Sequence, residues 1–210
     1  MKIFAVANNY PQHNKDAQPT LYNSDNPVVF TKPDSALLKN NKPFFVPDWT
    51  AQTDYEAELV VRIVRQGKTI PERFAHRYYD AVTVGIDFTA RDMQRRLSAQ
   101  GMPWDISKGF DGAAVVGKWI STSELAETRT DGIQSLHFRL DINGATVQSG
   151  FTGDMLFGVD RLIAYISQYF TLKTGDLLYT GTPAGAGPVR IGDRLTGYVE
   201  SIKVLEFNCK

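Results

Sequence analysis

Short apolar runs separated by polar turns set the pattern of this 210-residue chain. Lys2–Ala7 (KIFAVA) is predicted to be a short buried strand, and Pro27–Lys32 (PVVFTK) a second, closed by Pro33. The polar stretch of residues 8–26, with Pro11 and Pro19, offers little to a core and is expected to be a mobile loop. Residues 39–53 are rich in Asn, Pro and Asp and show little regular pattern. Tyr55–Arg65 (YEAELVVRIVR) is the clearest strand, ended by a Gln66-Gly67 turn, and Ala81–Asp87 (AVTVGID) is another. Thr89–Gln100 reads as a helix, with Thr89 as N-cap, Asp92 three residues on in a variant capping box, and Gly101 as the stop. Leu136–Gln148 alternates. Leu136, Phe138, Leu140 and Ile142 face one way and His137, Arg139 and Asp141 the other, with Asn143-Gly144 marking a hairpin. Val159–Phe170 places Leu162, Ile163 and Ile166 on one helical face. From Asp176 onward the chain returns to short strands broken by Gly and Pro.

Many short strands, two good helices and no regular strand–helix alternation predict a mixed α/β, β-rich single domain over residues 1–210. Its sheet is expected to fold back on itself, with a few helices outside. Lys plus Arg and Asp plus Glu are 23 each, so the chain carries no electrostatic footprint for nucleic acid or an anionic membrane. The single cysteine, Cys209, rules out an intrachain disulfide. The N-terminal apolar run is too short for a secretory signal, and no stretch reaches the roughly 18 apolar residues of a spanning helix. The expectation is a cytoplasmic protein with neither a nucleic-acid nor a membrane partner.

Charge becomes informative locally. Glu56 and Glu58 are two apart on a predicted strand, so their side chains share a face. Two carboxylates on a buried face repel unless a cation or a shared proton separates them. Val60 and Val64 lie on that face, which argues against plain solvent, although the pair alone also reads as solvated glutamates at a strand end. Asp87 ends the strand AVTVGID and offers a third carboxylate, or a helix-entry cap. An all-oxygen set of this kind suits Mg²⁺, Mn²⁺ or Ca²⁺ rather than zinc. Lys108, in a Gly-flanked polar turn, reads as a surface lysine or as a partner for a carboxylate substrate. The Gly-rich run of residues 180–187 lacks the ending of a phosphate-binding P-loop. It reads as a turn that offers N–H groups and a hydroxyl to a small anion, or as a structural turn. His13 and Asp16 are spaced so that they could touch, but alone they read as part of a solvated loop. His76 and His137 read as structural or surface residues.

Six segments occur in an order that resembles the fumarylacetoacetate hydrolase family along nearly the whole chain. They are Asn9-Tyr10 with His13, Phe30-Thr31-Lys32-Pro33, Asp54–Leu59 (DYEAEL), Gly85–Gln94 (GIDFTARDMQ), Lys108–Asp111 (KGFD) and Tyr179–Gly185 (YTGTPAG). The resemblance implies a β-roll fold of short twisted strands with a few outer helices. It implies Glu56, Glu58 and Asp87 as ligands of Mg²⁺ or Mn²⁺, with Ca²⁺ as a substitute in a crystal. It implies Lys108 as the group that binds substrate and stabilises a developing enolate, and Thr182 with its loop as the seat of a substrate carboxylate. Arg91 and Gln94 would line the same pocket. His13 with Asp16 would be the general base, on a lid formed by residues 8–26. Members of the family are commonly homodimers.

Two departures stand out. Ala7-Asn8 replaces the usual Gly-Arg or Gly-Leu before Asn-Tyr, and Asp16 stands where Glu is usual, one methylene shorter. The implied substrate is a small 2-oxo acid or its enol. Because a His–acid pair is present, the favoured expectation is hydrolysis of an acylpyruvate-type C–C bond through a metal-stabilised pyruvate enolate. An isomerase or decarboxylase of a 2-hydroxy-diene or oxo dicarboxylate, oxaloacetate included, is the alternative on the same site. A non-catalytic oxo-acid-binding homologue is a third.

Overall fold

The computed structural model describes residues 1–11, 25–128 and 132–210. His13, Asp16 and most of the expected lid therefore lie outside the described residues.

The strands, in chain order, are β1 (Ile3–Ala7), β2 (Val28–Lys32), β3 (Leu37–Leu38), β4 (Thr53–Tyr55), β5 (Ala57–Ile63), β6 (Tyr79–Asp87), β7 (Thr89–Ala90), β8 (Ala114–Val116), β9 (Ile120–Ser121), β10 (His137–Ile142), β11 (Ala145–Phe151), β12 (Leu177–Tyr179), β13 (Gly187–Pro188), β14 (Arg194–Val199) and β15 (Ile202–Asn208). The helices are α1 (Arg91–Ala99), α2 (Asp105–Lys108), α3 (Thr122–Thr128) and α4 (Val159–Tyr169). The largest sheet runs β2-β1-β12-β5-β6-β8-β3, with β9 on β6. β1 is parallel to β12 and β3 to β8, and the other pairs are antiparallel. A second sheet runs β11-β10-β14-β15, and a small third one β13-β4-β7. The expected β-rich mixed α/β architecture, with a sheet folded back on itself, is what forms.

The residue pattern explains the layering. β5 and β6 are near-continuous Val/Ile runs, and both are buried on both faces from Ala81 onward on β6 and from Ala57 to Val61 on β5. The second sheet alternates, as in β14, where Leu195, Gly197 and Val199 are buried between more exposed neighbours. Its inner face lies over β6, with an ideal Cβ at Gly197 only 3.0 Å from Val84 Cγ1. Helix α4 closes the core with Leu162, Ile163 and Ile166, as its periodicity predicted. The hairpin also forms as expected: Asn143 and Gly144 take φ of 53° and 84°, both positive, as a type I′ turn requires.

Two elements differ from expectation. The predicted strand of residues 55–65 breaks at Glu56 and ends at Ile63. The predicted helix of residues 89–100 begins at Arg91, and its N-cap residue Ala90 makes no side-chain cap. Thr89 belongs instead to β7, paired with Asp54 of β4, and its side chain is buried. The first helical N–H, from Arg91, donates to Gln52 O at 2.8 Å, so backbone from a distant loop does the capping. Asp92 accepts from the Thr50 hydroxyl and from Ala51 N.

The two breaks are one feature. The chain leaves the large sheet at Glu56 on one strand and at Phe88 on its partner, and both segments enter the small sheet. Asp87 N donates to Glu56 O at 2.8 Å across this corner.

Gly85 lies opposite Glu58 on β6. A Cβ there would sit 2.5 Å from Val60 Cγ2 and 2.6 Å from Val115 O. The carbonyl belongs to a paired strand and cannot yield alone. Gly85→Ala is therefore expected to destabilise the protein by about 2 kcal/mol in equilibrium urea unfolding. An unchanged midpoint would contradict this packing.

Candidate metal centre

The corner between β4 and β5 turns Glu56 inward, Glu58 at the second position of β5 faces the same space, and β6 ends there with Asp87. One carboxylate oxygen from each lies within 4.8 Å of the others, and all three residues are buried. Three cations converge on them. Lys108, at the end of α2, places Nζ 2.7 Å from Glu56 Oε2 and 3.0 Å from Asp87 Oδ2. Lys32, at the end of β2, places Nζ 2.5 Å from Asp87 Oδ1 and donates to Ala113 O at 2.9 Å. Arg91, opening α1, pairs with Glu56 through Nη2 and donates from Nε to Asp54 Oδ2 at 2.7 Å. Its Nη1 donates to Gln94 Oε1 at 2.5 Å, one turn along α1.

Four carboxylates thus meet three cations. Among the described residues, Glu58 is the carboxylate of the four that has no ion pair; its Oε2 accepts only the Gly181 N–H, at 2.7 Å. Burial, then the charges of Asp87 and Glu56, push the Glu58 carboxyl well above the usual range, against the pull of Gly181 N–H and Lys108. For Glu56, burial also pushes upward, but Lys108 and Arg91 outweigh it and hold its carboxyl below the ordinary value. Burial lowers Lys108 while Asp87 and Glu56 raise it, and the balance lies above the ordinary lysine value. Burial dominates at Lys32 and lowers it despite Asp87.

This donor set fits a divalent cation. It is all carboxylate oxygen, the ligand type of Mg²⁺ and Mn²⁺. An ionised Glu58 would be a buried negative charge with no ion pair, and no donor is aligned on Asp87 Oδ1 even though Lys32 is beside it. A cation among the three oxygens would offset both.

The Gly-rich loop closes one side. Thr180 donates from N and Oγ1 to Leu59 O. Gly181 needs its φ of 99° and its missing Cβ, which would lie 2.7 Å from Asn9 Cβ. Thr182 donates its hydroxyl hydrogen to Ala57 O at 2.8 Å and accepts from Gln148 Nε2 at 2.8 Å. Asn9 donates to Thr180 O and Phe157 O and accepts from Phe157 N. The chain that leads into residues 12–24 is therefore pinned beside the carboxylates. Tyr10 is buried next to it, and burial with the nearby Glu58 and Asp154 raises its hydroxyl pKa. The Phe30 ring lies 5.4 Å from Lys108 Nζ, with Trp104 edge-on to it.

Glu56, Glu58, Asp87, Lys108, Arg91, Gln94 and Thr182 are thus brought together, while His13 and Asp16 lie outside the described residues. His76 is exposed in the short 3-10 helix Glu72–Arg77, and His137 is exposed on β10 and stacked on Phe151. Lys32, Asp54 and Gln148 were not singled out from the sequence. Lys32 had a signal, since it ends an apolar strand inside the quoted Phe-Thr-Lys-Pro segment.

Known proteins share the fold and identify the family of the chain. Residues 2–208 match the family described as Fumarylacetoacetate (FAA) hydrolase C-terminal, and the chain belongs to that family. The mitochondrial oxaloacetate tautomerase FAHD1 of Arabidopsis thaliana is 34% identical over 207 residues, 99% of this chain and 90% of that protein. A fumarylpyruvate hydrolase from Pseudomonas aeruginosa, solved in complex with Mn²⁺ and pyruvate, superposes with a TM-score of 0.87 at 28% identity, covering 100% of this chain and 89% of that one. A 2-hydroxyhepta-2,4-diene-1,7-dioate isomerase from Mycobacterium marinum superposes with a TM-score of 0.82 at 32% identity, covering 99% and 73%. The family thus includes enzymes named for hydrolysis, isomerisation and tautomerisation. Among the described residues, no helix is long and apolar enough to cross a membrane.

If the corner holds a cation, Mn²⁺ at a hundred times its dissociation constant should stabilise the protein by about 2.7 kcal/mol. Glu58→Gln keeps an acceptor for Gly181 N–H and removes the unpaired charge. It is expected to abolish that stabilisation without weakening the metal-free protein. Full Mn²⁺ stabilisation in the variant, read by calorimetric unfolding, would contradict the assignment.

Proposed function

We propose that this protein is a divalent-metal-dependent enzyme acting on a small 2-oxo acid through its enol form. The first reading is keto–enol interconversion of an oxaloacetate-type oxo dicarboxylate. The observation that carries it is the buried triad Glu56, Glu58 and Asp87 with Lys108 bridging two of its members. Glu56, Glu58 and Asp87 would hold Mg²⁺ or Mn²⁺, which supplies Lewis-acid polarisation of a bound 2-oxo group.

The chain's own residues supply the rest. Lys108 is buried and kept protonated by its two carboxylate neighbours, so it offers a fixed positive charge where an enolate oxygen develops. Arg91 is held by Asp54, Glu56 and Gln94, which fixes the plane of its guanidinium. The loop of residues 180–185 would offer a substrate carboxylate the backbone N–H groups beyond Gly181, since those of Thr180 and Gly181 are taken by Leu59 O and Glu58. Phe30 and Trp104 shield Lys108 from water on one side. Keto–enol interconversion moves one proton between the C2 oxygen and C3, with no bond to water formed, and so requires no activated water. That simplicity, with the tautomerase relative at 34% identity, moves proton transfer ahead of the hydrolysis favoured from the sequence.

Hydrolysis of an acylpyruvate is the second reading, favoured by the likeness to the fumarylpyruvate hydrolase. It needs a base for water, the role His13 with Asp16 would fill. Decarboxylation or double-bond isomerisation would use the same electron sink.

The test is turnover of enol-oxaloacetate, acetylpyruvate and a 2-hydroxy-diene dioate with Mn²⁺ or Mg²⁺. Accelerated ketonisation that is lost to a chelator is expected, and Lys108→Met should lower kcat by about 10²-fold or more. His13→Ala should impair hydrolysis and spare ketonisation. No turnover of any substrate, with oxalate still bound, would point to a non-catalytic binding homologue.

A homodimer belongs to the same reading. Met1, Trp49, Ile106 and Phe170 are all exposed and line one groove of about 970 Å³, an apolar face of the kind that pairing covers. Sedimentation equilibrium is expected to give twice the chain mass; the monomer mass at micromolar concentration would contradict it.

A further inference from the structure

The peptide between Glu56 and Glu58 is supported unequally on its two edges. On one edge it pairs with β6, Ala57 opposite Ile86 and Glu58 opposite Gly85. On the other edge β12 pairs only as far as Tyr179 opposite Val60. Thr180 then takes Leu59 O, and two residues earlier along β5 a pair of side chains replaces the strand. Ala57 N donates to Gln148 Oε1 at 2.8 Å, and Ala57 O accepts from Thr182 Oγ1 at 2.8 Å. Gln148 Nε2 donates in turn to Thr182 Oγ1 at 2.8 Å and to Pro183 O at 3.0 Å. The ring is closed, and its direction is fixed. Ala57 N–H can only donate and Pro183 O can only accept, so the Gln148 amide has one orientation that satisfies both.

Gln148 reaches this position from the other sheet. The register of β10 with β11 shifts between Leu140, opposite Gln148, and Asp141, opposite Thr146. Val147 is the extra residue, so the bulge reverses the alternation and buries Gln148, which is 2% exposed. Thr146 is left outside, where its hydroxyl donates to Asp141. The Gly-rich loop rests on the same bulge. Gly185 has a φ of 100°, and a Cβ there would lie 2.5 Å from Val147 O.

We infer that Gln148 is a positioning residue that clamps the Thr182–Pro183 loop to the peptide spacing Glu56 from Glu58, so that one side chain sets both the metal-ligand geometry and the seat of the substrate carboxylate. This rests on the metal reading of the corner. Groups one step behind the ligands orient them, and their loss typically weakens metal binding by about tenfold to a hundredfold.

Gln148→Met keeps the volume and removes all three hydrogen bonds of the amide. Thr182→Val removes the other half of the clamp. Mn²⁺ titration calorimetry on the full chain is expected to show each variant binding about tenfold to a hundredfold more weakly than wild type. The double variant should bind no more weakly than the weaker single one, because both act through one ring. A merely structural role would lower the unfolding midpoint and leave Mn²⁺ affinity unchanged, and that result overturns the inference. If one single variant does not fold, the other decides by the same measurement. Absence of Mn²⁺ binding in the wild type would instead overturn the metal reading itself.

Discussion

Ionised carboxylates held within 4.8 Å of one another repel by at least about 3.5 kcal/mol per pair at an effective dielectric of 20. Glu56, Glu58 and Asp87 keep this spacing inside the protein, away from the water that would screen them. The surroundings of the corner answer that repulsion. Lys108 bridges two of the three, Lys32 pairs with Asp87, and Arg91 spans Glu56 and Asp54. Glu58 is left with a backbone N–H and the neighbouring charges, so the compensation stops one charge short. A site whose own cations balance all but one buried carboxylate is suited to a bound ion more than to structural ion pairing.

The fold exists at this corner because two strands change sheets there together. Each breaks once, at Glu56 and at Phe88, and continues into the small sheet with β13. The break frees the Glu56 side chain from the strict alternation of a strand, while Asp87 N to Glu56 O keeps the two segments registered. Arg91 can reach back because α1 starts directly after β7. Asn9 and the Gly181 turn approach each other closely enough to exclude a Cβ, which places the start of the segment carrying His13 at the edge of the same site. Carboxylates, cations and Gly-rich loop are thus contributed by five separate stretches of chain, around Lys32, residues 54–58, residues 87–91, Lys108 and residues 180–185, each anchored in a sheet or at a helix end.

Much of this was legible in the residues, for identifiable reasons. The Val/Ile runs of β5 and β6 and the α4 periodicity are burial signals that tertiary structure reinforces, and Asn143-Gly144 is a local turn with few alternatives. The carboxylate cluster was legible because two glutamates two residues apart and a strand-terminal Asp are short-range facts, and the ordered motifs supplied the pairing between them; the premise of one continuous strand did not hold, since Glu56 sits in the break before β5. Thr89 misled because a hydroxyl before a helical run usually caps it; here the small sheet claims Thr89 and Gln52 O serves the helix. Gln148 was illegible for a different reason. Simple alternation through Ala145, Val147 and Ser149 turns Gln148 outward, and the bulge that reverses this depends on the partner strand. Lys32 was visible within its motif, but its target Asp87 lies 55 residues away and only the sheet brings them together.

The account depends on the corner being a cation site rather than a self-compensated cluster of ion pairs. The most direct measurement is a crystal structure of the protein soaked in Mn²⁺, with anomalous scattering collected to locate the ion. The account predicts one strong peak about 2.0–2.2 Å from an oxygen of each of Glu56, Glu58 and Asp87, with Lys108 Nζ displaced from its bridge between Glu56 and Asp87. A peak elsewhere, or none, with Lys108 still bridging Glu56 and Asp87, would contradict it.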